Sequence, residues 1–110
     1  MTPCGVLIVE DEVHQAKALQ GLLELAGHGV DLCHDGAGAL ARFADNGYEL
    51  ILCDLRLPDM DGIEIFRRAR QSLGDDAPTF VILTAYGTVV SAREALKAGV
   101  YDYITKPVDP

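Results

Sequence analysis

Three apolar runs constrain this chain more than any other feature: "GVLIVE" (5–10), "YELILC" (48–53) and "TFVILT" (79–84). A strand with one wet face alternates polar and apolar residues. These runs do not alternate, so each predicts a strand buried on both faces. The segments between them carry helical spacing. Residues 13–26 place Val13, Ala16, Leu19, Leu22, Leu23 and Ala26 on one side, with Gly27 where a C-terminal cap falls. Residues 36–44 predict a short helix with Leu40 and Phe43 inward, and residues 63–73 a helix with Ile65, Phe66, Ala69 and Leu73 inward. A helix over 88–98 ends at Gly99. "GVDLCH" (29–34) alternates like a more exposed strand, and "YDYIT" (101–105) reads as a fifth. Strands alternating with helices, buried on both faces, predict a doubly wound α/β fold around a five-stranded parallel sheet. The length of 110 residues and 49% hydrophobic content fit one domain with one core.

In such a sheet the reactive crevice lies beyond the C-terminal strand ends. The first strand leads there into Glu10 and Asp11, the third into Asp54, the fourth into Thr84 and the fifth into Lys106. Neighbouring strands lie about 4.8 Å apart, so these groups can converge. Clustered carboxylates repel and need a counter-charge. Mg²⁺ suits them, because it prefers oxygen ligands and pairs with phosphate. A metal on Asp11 and Asp54 can also take a backbone carbonyl from position 56. The metal and Lys106 would neutralise an incoming phosphoryl group, with Asp54 as nucleophile and Thr84 on a phosphoryl oxygen.

Composition narrows the alternatives. A net charge of −8 opposes nucleic-acid phosphates, so no direct DNA binding is expected of this segment. No apolar run approaches a membrane span. Cys4, Cys33 and Cys53 are an odd count without metal-site spacing, which fits reduced thiols in the cytoplasm.

"VLIVEDE", "DLRLPDMDG", "ILTAYG" and "YDYITKP", in this order and spacing, resemble the receiver domain of two-component response regulators, over essentially the whole chain. The stretch from "ILTAYG" to "KPVDP" looks most like receivers of NtrC-type transcriptional activators. The resemblance implies a flavodoxin-like sheet of order 2-1-3-4-5. It implies Asp54 as phosphoacceptor, Glu10, Asp11, Asp54 and the Arg56 carbonyl around Mg²⁺ (Mn²⁺ substituting), and Thr84, Lys106 and Tyr103 as the switch. It implies a cis bond before Pro107. The partners it implies are a sensor histidine kinase as donor, an effector domain in the same chain (ATPase plus DNA-binding) and a phosphorylation-dependent dimer. The family often has two aspartates where this chain has Glu10–Asp11, and its loop before Gly62 is commonly arranged differently from "PDMDG".

Plainer roles compete at several positions. Glu12, Asp59 and Asp61 read as solvated or capping, with Asp61 suited to an N-cap. Tyr48, Tyr86 and Tyr101 read as packing, and His14, His28 and His34 as surface residues. Cys53 reads as core, and Arg56 as exposed. A phosphatase of the haloacid-dehalogenase type wants D-x-D on the first strand, where this chain has "EDE". A flavodoxin-like cofactor binder wants a phosphate loop where "EDEVHQ" would repel phosphate. Receivers usually end in a fifth helix beside the first. Its absence before Pro110 predicts an N-terminal fragment of a longer regulator, with an exposed apolar patch beside residues 13–26.

Overall fold

A computed structural model describes residues 5–45, 47–85 and 87–106. The elements alternate throughout: β1 (Gly5–Val9), α1 (Val13–Leu25), β2 (Gly29–Cys33), α2 (Gly36–Asp45), β3 (Leu50–Cys53), α3 (Gly62–Leu73), β4 (Thr79–Thr84), α4 (Val89–Ala98) and β5 (Asp102–Thr105). A short 3₁₀ turn at Gly74–Asp76, absent from the sequence-based expectation, connects α3 to β4. All strand pairs are parallel, in the order β2-β1-β3-β4-β5. That is the predicted doubly wound sheet, with four α-helices among the described residues.

The apolar runs behave as their lack of alternation predicts. In β1, Leu7 and Val9 join the core on one side of the sheet, and Val6 and Ile8 join the core on the other. β3 divides likewise, with Ile51 and Cys53 on the first side and Leu50 and Leu52 on the second. Ala39 and Phe43 of α2, Ile65, Phe66 and Ala69 of α3 and Ala95 of α4 cover the first side. Phe66 meets Phe80 edge-on there, with ring centroids 5.3 Å apart.

Among the described residues, the second side is covered by α1 alone, through Ala16, Leu19 and Leu23. Its helical face is wider than its cover. Leu22 is 59% exposed and Leu25 88%. A groove of about 400 Å³, lined by Ile8, Leu19, Leu22, Leu52 and Leu83, runs beside α1. This is the predicted apolar patch.

Helix ends explain where the chain turns. Glu12 caps α1 by accepting from the His14 N–H. At the other end, the His28 N–H reaches the Leu23 carbonyl and the Gly27 N–H that of Glu24. This Schellman closure needs the positive φ of 96° at Gly27. Asp61 caps α3 through the Glu64 N–H at 2.8 Å. α2 is capped across the fold. Asp59 accepts from the Gly36 and Ala37 N–H groups at 2.8 and 2.9 Å, and Asp35 accepts from Gly38 at 2.7 Å. Those two N–H bonds hold the Asp59 carboxyl below its usual pKa range. Asp59→Ala is therefore expected to speed amide hydrogen exchange at Gly36 and Ala37 on the order of tenfold, while Gly38 keeps its protection. Equal exchange in both proteins would mean that Asp59 does not hold α2.

Candidate phosphoryl-transfer site

The four strand ends named by the sequence meet at one edge of the sheet. Their backbone is fixed by ladder bonds that continue past the strands. The Glu10 N–H donates to the Cys33 carbonyl at 3.0 Å, Asp54 to Val9 at 2.9 Å and Lys106 to Thr84 at 2.9 Å. Glu10, Asp54 and Thr84 are buried, at 6%, 5% and 0% exposure, and Asp11 is exposed.

Lys106 is the centre of the arrangement. Its Nζ lies 2.5 Å from Glu10 Oε2, 2.8 Å from Gln15 Oε1 and 3.3 Å from Asp54 Oδ2. Glu10, Asp11 and Asp54 each offer one oxygen within 4.8 Å of the others. The Arg56 N–H donates to Asp54 Oδ1 at 3.2 Å, and the Thr84 hydroxyl donates to the same carboxylate. A cavity of about 460 Å³ opens over this cluster, lined by Glu10, Asp11, Gln15, Asp54, Arg56 and Lys106.

The two buried carboxylates are pushed apart in acidity. Burial raises the Glu10 pKa, its bond to Lys106 only partly offsets that rise, and the neighbouring Asp54 adds to it. Burial also opposes the charge on Asp54, but bonds from Glu10 and Thr84 and the Lys106 ammonium outweigh it and hold its pKa low. Lys106 loses hydration, yet Glu10 and Asp54 raise its pKa overall. The cluster thus keeps Asp54 ionised and Lys106 protonated, the states that a nucleophile and an anion-binding group need.

Tyr103 lies outside this cluster, at the neighbouring helix start. It is half-buried against the core. Its hydroxyl is 2.7 Å from Ser91 Oγ. Ser91 itself closes a reciprocal cap with Thr88 at the start of α4. Gly87 makes room there, since a Cβ on it would lie 2.6 Å from Thr105 Cγ2 and 3.1 Å from the Tyr103 hydroxyl. Arg56 is exposed and Cys53 is core, as expected. Tyr101 corrects the sequence-based expectation of packing: it is 77% exposed, on the turn into the edge strand β5. His28 corrects the surface assignment in part, since its Nδ1 is buried. Pro107, Tyr86 and Cys4 fall outside the described residues.

Two contributors had no signature in the sequence: Gln15 and Ser91 are polar residues in the first turns of helices, where solvation or capping is the ordinary role. Asp59 caps as expected, but the helix it caps is α2, a partner only the fold reveals.

This doubly wound fold with its strand-end acidic cluster is that of a signalling domain, and residues 6–110 match the response regulator receiver domain model. The chain belongs to the receiver family of two-component response regulators. It is 40% identical over 104 residues to the transcriptional regulatory protein ZraR of Salmonella typhimurium, covering 94% of this chain and 23% of that protein. It is 36% identical to the regulatory protein AtoC of Escherichia coli, covering 94% of this chain and 22% of AtoC. These relatives carry the likeness to NtrC-type regulators. The chain therefore spans about a quarter of the length of ZraR and AtoC. Among solved structures, a CheY-like receiver from Methanospirillum hungatei superposes with a TM-score of 0.91 at 28% identity, covering 99% of this chain and 86% of that one. A putative response regulator from Chloroflexus aurantiacus gives 0.89 at 34%, covering 99% and 89%. No helix among the described residues is long and apolar enough to cross a membrane.

Proposed function

We propose that this domain takes a phosphoryl group from a phosphohistidine of a sensor histidine kinase onto Asp54. The observation that carries the reading is the bridge from Lys106 Nζ to both Glu10 and Asp54. An Asp54 oxygen attacks phosphorus, the O–P bond forms as the donor's N–P bond breaks, and that electron pair returns to the imidazole ring. Asp54 is already ionised, so the attack needs no base. Three carboxylate oxygens within 4.8 Å fit a hard divalent ion. Glu10, Asp11, Asp54 and the Arg56 carbonyl would hold Mg²⁺, or Mn²⁺ in its place. The ion would supply charge neutralisation for the transferring group. Lys106 and Thr84 would then bind phosphoryl oxygens.

The output would be a population shift in which Thr84 moves inward and Tyr103 leaves Ser91 for the space behind it. The surface of α4 and β5 then changes. That surface would control dimerisation and an effector segment in a longer cytoplasmic regulator, probed by the ATPase and DNA-binding activities of that full-length protein. A fifth helix of such a regulator would cover the groove beside α1.

Intact mass after incubation with Mg²⁺ and acetyl phosphate tests the acceptor. One added phosphoryl group is expected, and Asp54→Asn or a chelator should reduce uptake at least about a hundredfold. Uptake by a folded Asp54→Asn protein at the original rate would place the acceptor elsewhere.

A further inference from the structure

Lys106 is held by more than its two carboxylates. An ammonium has three N–H donors and no acceptor. Here all three directions are used, by Glu10 Oε2, Gln15 Oε1 and Asp54 Oδ2. The contact to Asp54 is the longest, at 3.3 Å, and the neutral amide of Gln15 sits closer, at 2.8 Å.

Gln15 occupies the first turn of α1, on the wall shared by the acidic cavity and the apolar groove. A glutamine at the third position of a helix ordinarily reaches back to the residue that caps it. Gln15 instead directs its carbonyl to a lysine 91 positions away in sequence. Its chemistry suits that place. A second carboxylate there would add negative charge to a pocket that must admit a phosphoryl group. An apolar side chain would leave one Lys106 N–H to water and release a long, flexible stem.

We propose that Gln15 is a positioning residue for Lys106. With Glu10 it fixes two legs of the ammonium, so that the third N–H passes from Asp54 to the incoming phosphoryl oxygen. The inference rests on the phosphoacceptor reading, and it concerns how Lys106 is aimed rather than whether Asp54 reacts.

The test uses the 110-residue chain with Mg²⁺ and acetyl phosphate, in four forms: unaltered, Gln15→Ala, Lys106→Met and the double variant. Gln15→Ala should slow phosphoryl uptake roughly fivefold, the scale of one charge-assisted hydrogen bond partly replaced by water. Its Mg²⁺ affinity, titrated separately, should stay within about twofold. In the Lys106→Met background the same substitution should change the rate less than about twofold, because the group it positions is gone. The Lys106 ¹⁵Nζ–H signal, sharp when the ammonium is tethered, should broaden in Gln15→Ala.

An unchanged rate in Gln15→Ala overturns the proposal. So does an equal loss with and without Lys106, which would mean that Gln15 acts through helix stability or the metal. If the unaltered protein takes up no phosphoryl group, the acceptor reading fails. The Nζ signal then still decides the tether, and an unchanged signal in Gln15→Ala overturns it.

Discussion

Gly62→Ala is expected to destabilise the protein by about 3 kcal/mol and to lower the unfolding midpoint by roughly 10–20 °C. A Cβ at this position would lie 2.5 Å from the Asp54 carbonyl oxygen, 2.9 Å from Ile82 Cδ1 and 3.2 Å from Cys53 Sγ. The isoleucine can rotate away, but the carbonyl belongs to the backbone of Asp54, the proposed acceptor. Relief therefore moves either the start of α3 or Asp54 itself. The second route also costs function, because the 3.3 Å contact between Asp54 and Lys106 changes with it. Gly21 is the internal control. It sits in α1 with nothing within 4 Å of its Cβ position, so Gly21→Ala should stabilise by about 1 kcal/mol. Denaturant melts of the two variants give opposite signs if close approach, rather than helix propensity, is why residue 62 is glycine. A Gly62→Ala protein as stable as the original would show that α3 can back away from the strand at little cost.

The same glycine marks what could be read from the chain and what could not. "DG" at 61–62 was visible as a cap and a helix start, because both are local. The three inner strands were visible to within a residue or two for the same reason: burial on both faces writes an unbroken apolar run. Glu10, Asp54, Thr84 and Lys106 follow from strand ends alone, since a parallel sheet delivers all its C-terminal ends to one edge. Contacts that cross between elements left no periodic trace. Asp59 reaches back 22 and 23 residues to cap α2, and Lys106 reaches 91 residues back to Gln15. Tyr103 and Ser91 meet only because β5 pairs with β4 and thereby lies beside the start of α4. Tyr101 looked like core because it is aromatic and next to a strand. It sits at the sheet edge instead, where nothing among the described residues covers it.

Lys106→Met should cost about 2–3 kcal/mol at neutral pH, less than the loss of a fully buried partner because the cavity above it is open. The cost has a specific origin. Glu10 and Asp54 side chains are only 8% and 5% exposed, and Lys106 is their shared cation. Without it the Asp54 carboxyl loses a cause of its low pKa, and Glu10, already raised by burial, rises further. A raised folded-state pKa stabilises below the unfolded value and loses that contribution as pH climbs through it. A depressed one, as Asp54 has with Lys106 present, stabilises above the unfolded value and is lost on acidification. In the unaltered protein acid therefore removes the Asp54 contribution while relieving Glu10, and in the variant it relieves Glu10 further without that loss, so the gap between them closes as pH falls into the carboxylate range. Glu10→Gln should recover much of the loss at neutral pH by removing one of the two repelling charges. Added Mg²⁺ should stabilise the variant more than the original, because binding to the folded state alone adds stability and the competing ammonium is gone. Stability curves against pH, with and without Mg²⁺, separate this from simple packing. A deficit that is equal at every pH and indifferent to Mg²⁺ would mean that the lysine stem, not its charge, holds the strand ends together.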